Sequence, residues 1–231
     1  LVIRSRGRLA DRAVTVAGFR DEYYGLAATV REATPDERQA GAAAWPRSSD
    51  ARPLLTVGAV DWAGTSWGRR PVRFAKARWE APTVDAGRLA GAPPAARAWA
   101  ERTAVPKLLV ATQTRVVEAA VDVRGRWVPS VPAIAVLPRS PDDLWLLAAA
   151  LLSPAATVWL SRRTPGVALA RGALKVSAGD LAELPLPVDE ANLDYYMLDE
   201  LEVETGTDGE KRKVARVMLV AAGREMVDAF V

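Results

Sequence analysis

Basic and aromatic side chains alternate between residues 67 and 79, where the chain carries Trp67, Arg69, Arg70, Arg73, Phe74, Lys76, Arg78 and Trp79. Guanidinium and ammonium groups neutralise phosphate oxygens, so this pattern is typical of contact with a polyanion. If residues 71–79 form one strand, Arg73 shares a face with Trp79, while Phe74, Lys76 and Arg78 share the other. The alternative is a solvated basic face above an ordinary hydrophobic core.

Two further segments carry groups that can contact bases. Tyr23 and Tyr24 can stack on a base or sugar beside Arg20, or they form an ordinary aromatic pair that closes the domain edge. A predicted strand-to-strand junction has the sequence Gln113, Thr114, Arg115. A Gln side chain can read adenine and an Arg side chain guanine in the major groove, and the alternative for this segment is turn chemistry.

Clustered arginines flank two predicted turns. Around Gly125, in a predicted hairpin turn, lie Arg124, Arg126 and Trp127. Around the loop 164–166 lie Arg162, Arg163 and Arg171. The first turn would probe a groove and the second would bind phosphate; the alternatives are an exposed turn and charges that complement a helix C-terminus. Lys107 follows Pro106 and opens a predicted strand, where it contacts a polyanion or is simply exposed.

The composition excludes several kinds of catalytic site. The chain of 231 residues contains no histidine and no cysteine, which removes imidazole bases, thiol nucleophiles, disulfides and most transition-metal sites. Asp142 and Asp143 resemble a metal-binding pair, but helix capping explains them better. No Gly-rich nucleotide loop is present. We therefore expect no catalysis, no cofactor and no metal in this chain, and we set aside an independent hydrolase.

The charge is segregated along the chain. Residues 1–188 contain 26 Lys and Arg against 17 Asp and Glu, whereas residues 189–231 contain 5 against 11. Of the 31 basic residues, 26 are Arg, although GC-rich coding is an alternative cause of that excess. A basic body with an acidic end indicates a polyanion partner. We predict two parts, a basic body over 1–188 and an acidic helical segment over 189–231.

Hydrophobic patterning predicts an α/β mixed (α+β) fold, with a core of short strands and a packed helical pair. Strands are predicted at 13–17, 107–111, 115–123 and 131–137, a helix at 95–104, and loops at 32–53 and 86–94. The uncharged run 144–160 is too short for a membrane span and is broken at Ser153-Pro154, so two buried helices are expected. Helices near 190–203 and 212–230, joined by a turn, complete the chain.

Several segments in this order resemble the specificity domain of TaqI-like adenine-specific DNA methyltransferases. The most distinctive is Pro106-Lys107-Leu108-Leu109-Val110-Ala111-Thr112-Gln113-Thr114-Arg115. The others are Gly18 to Leu26, Leu54 to Trp62, Trp67 to Phe74, Ser130 to Pro132, the run 144–160, and Asp180 to Pro187. The resemblance covers roughly residues 14–188, and its weight lies in the order and spacing of the segments.

The resemblance implies that residues 1–188 are a DNA target-recognition domain, which binds double-stranded DNA sequence-specifically in restriction–modification or phage defence. The catalytic domain of such enzymes carries an S-adenosylmethionine loop and an Asn-Pro-Pro-Tyr motif, and neither is found in this chain. The only Pro-Pro, Pro93-Pro94, follows Gly91-Ala92, so no amide side chain precedes it. A companion methyltransferase domain, in cis or in trans, would bind S-adenosylmethionine. Leu1 in place of Met suggests a fragment, and the lack of cysteine and of a signal peptide fits a cytoplasmic location. The main alternative is a protein-interaction scaffold in a phage-defence assembly.

Overall fold

The computed structural model describes residues 5–43, 45, 49–163, 173–187, 203–205 and 211–213. The helices are α1 (Leu9–Arg12), α2 (Arg20–Ala27), α3 (Pro35–Ala40), α4 (Ala86–Ala90), α5 (Pro94–Arg102), α6 (Asp143–Leu152), α7 (Pro154–Arg163) and α8 (Ala178–Ala182). The first strands are β1 (Ser5–Arg8), β2 (Ala13–Ala17), β3 (Val30–Glu32), β4 (Ala51–Leu55), β5 (Val60–Asp61), β6 (Gly64–Thr65), β7 (Val72–Phe74), β8 (Ala77–Trp79) and β9 (Pro82–Asp85). The remaining strands are β10 (Lys107–Val110), β11 (Gln113–Thr114), β12 (Ala119–Asp122), β13 (Val128–Pro129), β14 (Ile134–Pro138), β15 (Leu174–Lys175), β16 (Pro185–Pro187), β17 (Val203–Thr205) and β18 (Lys211–Lys213).

Two four-stranded sheets form the centre of the fold. The first has the order β12-β10-β14-β2 and is antiparallel throughout. The second has the order β13-β4-β9-β3, in which only β13 and β4 run parallel. The described residues thus confirm the predicted mixed α+β class with a short-stranded core and a packed helical pair.

Alternation along the strands sorts the core into layers. In β10, Leu108 and Val110 pack with α6 and α7, whereas Leu109 packs with Leu55 and Ala51 of the second sheet. In β4, the adjacent Leu54 points to the opposite side, where it packs with α2 and α5. Because successive strand residues face opposite ways, the order of layers is helices, first sheet, second sheet, helices.

The helical pair bends where the sequence predicts. Ser153 is buried, its hydroxyl donates to the Ala150 carbonyl at 2.8 Å, and it accepts from the Ala156 amide at 3.1 Å. Ser153 therefore ends α6 and caps α7, and the two helices meet at 64°. Among the described residues no single helix has the length and apolar composition to cross a membrane, although this bent pair passes that test when taken together.

Strands are accurately predicted at 13–17 and 107–111, and the helix at 95–104 corresponds to α5. The predictions of loops at 32–53 and 86–94 are wrong, because these stretches contain α3, β4 and α4. Thr34 explains α3: its hydroxyl accepts from the Glu37 amide at 3.3 Å, and Pro35 follows at the first helical position. Asp85 caps α4 in the same way, at 2.9 Å from the Arg88 amide.

The turn at Gly125 is present but does not close a hairpin. Gly125 has φ 65°, and β12 before it pairs with β10, whereas β13 after it pairs with β4 of the other sheet. Of the predicted C-terminal helices, nearly all of 190–203 and 212–230 lies outside the described residues. Where the structure describes this region, residues 203–205 and 211–213 form an antiparallel ribbon, so the predicted turn between the helices contains strands.

Candidate nucleic-acid interface

Eight of the seventeen predicted contact residues lie along one edge of the two sheets, and Tyr23 and Tyr24 lie on helix α2, which begins there. At this edge β2, β4, β10 and β13 end, and β9, β12 and β14 begin, as their pairing registers show. The connections there are residues 18–20, 56–81, 111–118 and 130–133, which together we call the loop edge. Strand pairing therefore brings together segments that are up to about a hundred residues apart in the sequence.

Residues 72–79 of the loop edge form a two-stranded hairpin rather than the single strand considered from the sequence. Its turn residues Ala75 and Lys76 have φ of 50° and 65°, as a two-residue hairpin turn with a right-handed strand twist requires. The register places Arg73 directly opposite Arg78. Both side chains are exposed, whereas Phe74 is buried in the core. The predicted division of faces is therefore wrong: Arg73 shares its face with Arg78, not with Trp79.

The hairpin is anchored at both its tip and its strands. The Tyr23 hydroxyl accepts a hydrogen bond from the Ala75 amide at 3.0 Å, and the Tyr23 ring meets the Phe74 ring edge-on at 5.0 Å. The Trp79 indole N–H donates to the Phe74 carbonyl at 3.0 Å. These contacts hold the hairpin against α2, so its cations are presented on a rigid support.

The two tyrosines of α2 have different environments. Tyr23 is half-buried and structural, as its contacts with the hairpin show. Tyr24 is 61% exposed, and the Arg20 guanidinium lies 5.6 Å from the centre of its ring. Phe19, at the N-terminus of the same helix, is 74% exposed. An exposed aromatic ring beside a cation is the arrangement that stacks on nucleobases, so Tyr24 and Phe19 are the stacking candidates here.

Arg69 and Arg70 are exposed but already hydrogen-bonded within the loop edge. Arg69 donates to the Thr65 carbonyl at 2.5 Å. Arg70 donates to the Gly58 carbonyl at 2.7 Å and to the Asp61 carboxylate at 2.9 Å. Desolvation, together with the Asp61 charge, raises the pKa of the neighbouring Glu118. The Asp61 carboxylate therefore compensates part of the charge of Arg70, whereas Arg73 makes no ion pair with any described carboxylate.

A short ribbon carries the predicted base-reading segment. Gln113 and Thr114 form β11, which pairs with β15 so that Gln113 lies opposite Lys175. Gln113, Arg115 and Lys175 are exposed, whereas the half-buried Thr114 donates its hydroxyl to the Val116 carbonyl. Gln113 and Arg115 thus remain available for contacts, and Thr114 shapes the turn.

Lys107 and Trp127 lie in the interior, so the prediction that they contact DNA is wrong. Lys107 is 0% exposed and forms an ion pair with the buried Asp122. The Trp127 indole is buried and donates to the Ala42 carbonyl at 2.8 Å. Burial lowers the pKa of Lys107 to about 8 despite the Asp122 charge.

A half-buried arginine, Arg52, completes the polar cluster at the edge opposite to the loop edge. Arg52 donates to the carbonyls of Ala100 at 2.9 Å and Arg126 at 3.2 Å. Desolvation lowers the pKa of Arg52 to about 10. The Asp122 carboxylate also accepts from the amides of Arg126 and Trp127. This cluster fixes the turn at 123–127 to the rest of the fold. The half-buried Arg126 belongs to this turn and lies away from the loop edge.

The remaining predicted contacts are divided between the surface and undescribed residues. Arg124 is exposed, but it lies at the edge opposite to the loop edge. Arg162 and Arg163 are exposed at the end of α7, where Arg163 lies 5.0 Å from the Trp159 ring and 3.8 Å from Asp180. Arg171 lies outside the described residues.

The capping predicted for Asp142 and Asp143 is right in position, because Asp142 is the N-cap residue of α6 and Asp143 lies in its first turn, but wrong in its bonding. Asp142 precedes α6 but makes no side-chain capping bond. The nearly buried Asp143 accepts from Arg12 at 2.8 Å and so ties α6 to α1. Over the residues that the structure describes, no group of three or more acidic side chains could hold a metal ion.

The sequence does not single out two exposed side chains at or beside the loop edge: Phe19 and Lys175. The exposure of Phe19 depends on where helix α2 begins, and the position of Arg78 opposite Arg73 depends on the hairpin register. Lys175 lies 62 positions after Gln113, and only strand pairing shows that the two are opposite. No local signal in the sequence indicates this last pairing.

The comparisons with known proteins give a likeness to solved structures and no family. No family model matches the sequence, and no curated protein matches it. Solved structures of similar fold include the Type IIL restriction–modification enzyme MmeI in complex with DNA, at 9% sequence identity and a TM-score of 0.49. The match covers 100% of this chain and 34% of that enzyme, so the chain spans about a third of its length.

Proposed function

We propose that this chain binds double-stranded DNA through the loop edge, as the target-recognition part of an adenine-specific DNA methyltransferase. One observation carries the proposal. Five exposed cations of the loop edge make no ion pair with a carboxylate among the described residues: Arg20, Arg69, Arg73, Lys76 and Arg115. Cations left uncompensated on one edge are suited to the phosphates of a nucleic-acid backbone.

Other cations of the chain have structural tasks. Arg31 makes two hydrogen bonds of 2.8 Å with Glu37, and Arg12 pairs with Asp143. Arg8 pairs with Glu183 and so joins the two ends of the domain. Because these arginines are paired within the fold, their charges are less available to a ligand than those of the unpaired cations of the loop edge.

The proposal assigns two kinds of contact to the loop edge. Arg73, Lys76 and the α2 residue Arg20 hold phosphates and set the position of the duplex. Gln113 and Arg115 read base edges, because a Gln amide matches adenine and a guanidinium matches guanine. A companion domain would bind S-adenosylmethionine and methylate the adenine, with this chain supplying the target.

A salt-titrated binding experiment tests the DNA part of the proposal. Fluorescence anisotropy with a labelled random 30-base-pair duplex is expected to show binding at low salt that weakens linearly in log–log form as salt increases. Charge reversal of Arg73 and Arg115 should abolish it, whereas Arg124→Glu, at the opposite edge, should not. Absence of binding at low salt, with and without the catalytic partner, would refute DNA recognition.

The methyltransferase part needs a separate measurement. The complete system, containing this chain, is incubated with DNA and S-adenosylmethionine, and N6-methyladenine is mapped by sequencing. We expect methylation at a defined site, and relaxed or lost site preference in the Gln113→Ala variant. If reversal of Arg73 and Arg115 instead abolishes assembly with partner proteins and leaves DNA affinity unchanged, the chain is a scaffold.

A further inference from the structure

The register of the β7–β8 hairpin places two arginines face to face. Arg73 and Arg78 are directly opposite residues on the exposed side of a two-stranded ribbon. Opposite residues in an antiparallel pair have Cβ atoms about 5 Å apart, so the two guanidinium groups can converge on one small group. The Arg78 side chain is 72% exposed, and Arg73 is exposed as well.

The described residues around the pair neutralise it only in part. Glu80 lies 3.7 Å from Arg78, but it is also 3.7 Å from Arg38, and both contacts are long for ion pairs. Glu32 uses its carboxylate on the amides of Glu80 and Ala81. Arg73 has no ion pair with any described carboxylate. Two like charges directly opposite each other destabilise a hairpin, so this arrangement has a cost in the free protein.

The support of the pair is rigid, which is what a preformed anion site needs. Phe74, the residue between Arg73 and the hairpin tip, is buried, and the Tyr23 hydroxyl accepts a hydrogen bond from the Ala75 amide. The Trp79 indole closes the base of the hairpin through the Phe74 carbonyl. Lys76, at the tip, adds a third exposed cation. Little ordering is therefore required when an anion binds.

We propose that Arg73 and Arg78 clamp a single phosphate group between their guanidinium planes, while Lys76 contacts a neighbouring phosphate. The inference rests on the proposed function, because it takes the phosphate to be a phosphodiester of the DNA backbone. Each guanidinium offers paired N–H donors that match two oxygens of a tetrahedral phosphate. The hairpin is thus an element that positions the duplex without reading its sequence.

The slope of log affinity against log salt counts the phosphates involved. Each neutralised phosphate contributes about −0.9 to this slope for duplex DNA. If one phosphate is shared, R73A and R78A each weaken binding and change the slope by less than one. The double variant R73A/R78A then makes the slope less negative by about one in total, and K76A makes it less negative by about one more. The matched control R124A should leave affinity and slope unchanged.

Two outcomes overturn the clamp while the wild type binds DNA. A slope that becomes less negative by about two in R73A/R78A would assign separate phosphates to the two arginines. An unchanged slope and affinity in R73A/R78A would remove the hairpin from the interface. Circular dichroism of each variant checks that the fold is retained, and uniform weakening across unrelated duplexes is the result expected of phosphate contacts.

A second arm separates failure of the clamp from failure of DNA recognition. Inorganic phosphate is titrated against the wild type and R73A/R78A while the arginine Nε–Hε NMR signals are recorded. If phosphate shifts the Arg73 and Arg78 signals but duplex DNA does not bind, the anion site stands and its source is not DNA. If neither phosphate nor duplex shifts these signals, both the clamp and the DNA binding on which it rests are refuted.

Discussion

The Tyr23 hydroxyl and the Ala75 amide are joined by a hydrogen bond of 3.0 Å that fastens the tip of a basic hairpin to helix α2. The two residues are 52 positions apart, and the bond links an element that follows the first sheet to one that emerges from the second. The orientation of Arg73, Lys76 and Arg78 therefore depends on a neutral contact that itself touches no ligand.

Removing this hydroxyl should loosen the hairpin without altering its charges. Tyr23→Phe keeps the ring packing against Phe74 but leaves the Ala75 amide unpaired, at a cost of about 1 kcal/mol. Hydrogen exchange of the Ala75 amide should accelerate about fivefold. DNA affinity should fall with it. Tyr24→Phe is the matched control, because no hydrogen bond of that hydroxyl is present among the described residues; equal exchange in both variants would contradict the prediction.

Relieving the repulsion between the two facing arginines should stabilise the free protein. Arg73→Thr places a good strand former opposite Arg78 and removes a like-charge contact of about 0.5 kcal/mol, which raises Tm by about 1 to 2 °C. The gain should disappear at about 1 M salt, where repulsion is screened. Arg124→Thr should show no such effect in thermal melts. A gain that persists at high salt would mean that repulsion is not its cause.

Acid should destabilise the fold through Glu37. Its hydrogen bonds with Arg31, and those from Thr34 and Ser49, lower its pKa from 4.5 to about 2 against the opposing effect of desolvation. A depressed carboxyl pKa stabilises the folded state above the unfolded pKa, and this contribution is lost as the pH falls from 4.5 to 2. Glu37→Gln should remove about 3 kcal/mol of the pH-dependent free energy of unfolding.

Urea unfolding between pH 2 and pH 7 measures this difference. The exposed neighbour Asp36 supplies the control, since Asp36→Asn should leave the acid profile close to that of the wild type. The role of Glu37 would be rejected if Glu37→Gln lost stability in acid as steeply as the wild type.

The buried Lys107 should affect stability in the alkaline range. Its folded pKa of about 8 lies below the ordinary value of 10.5, so the unfolded chain binds more protons between these two values. The contribution of Lys107 to the free energy of unfolding therefore rises with pH across that window. Lys107→Met should abolish this rise and, because Asp122 then loses its buried cation, destabilise the fold by about 3 kcal/mol at pH 7.

Denaturant melts from pH 7 to pH 10.5 test this prediction. Lys175→Met removes an exposed lysine and should leave the alkaline profile unchanged. If the wild type and Lys107→Met show parallel profiles above pH 8, the buried ion pair does not titrate as described.

Local patterns in the sequence were sufficient for some elements. Alternation and apolar runs located β2, β10 and α5, and the Ser153-Pro154 dipeptide located the bend between α6 and α7. These features depend on residues close to one another along the chain, such as the bond from the Ser153 hydroxyl to the Ala150 carbonyl three residues before it. A capped helix or a broken one can therefore be recognised without any tertiary contact.

The hairpin and the buried lysine could not be recognised in this way. A two-residue hairpin turn usually contains Asn or Gly, whereas here Ala75 and Lys76 occupy the positive-φ positions, so the turn has no sequence signal. Lys107 is the first residue of the otherwise apolar strand β10, and a lysine at the start of such a strand is commonly exposed. Its partner Asp122 is 15 residues away, and strand pairing alone brings the two together in the core.

The sequence by itself determined the mixed α+β class, the bent helical pair, the absence of histidine and cysteine chemistry, and the basic character of the body. Only the tertiary structure decided which basic residues face solvent together. Net charge is a property of composition, but strand register decides which side chains share a surface. It places Arg73 opposite Arg78, and the packing of the strands buries Lys107 and Trp127. The cost of burying an unpaired charge then decides which cations remain available to a ligand.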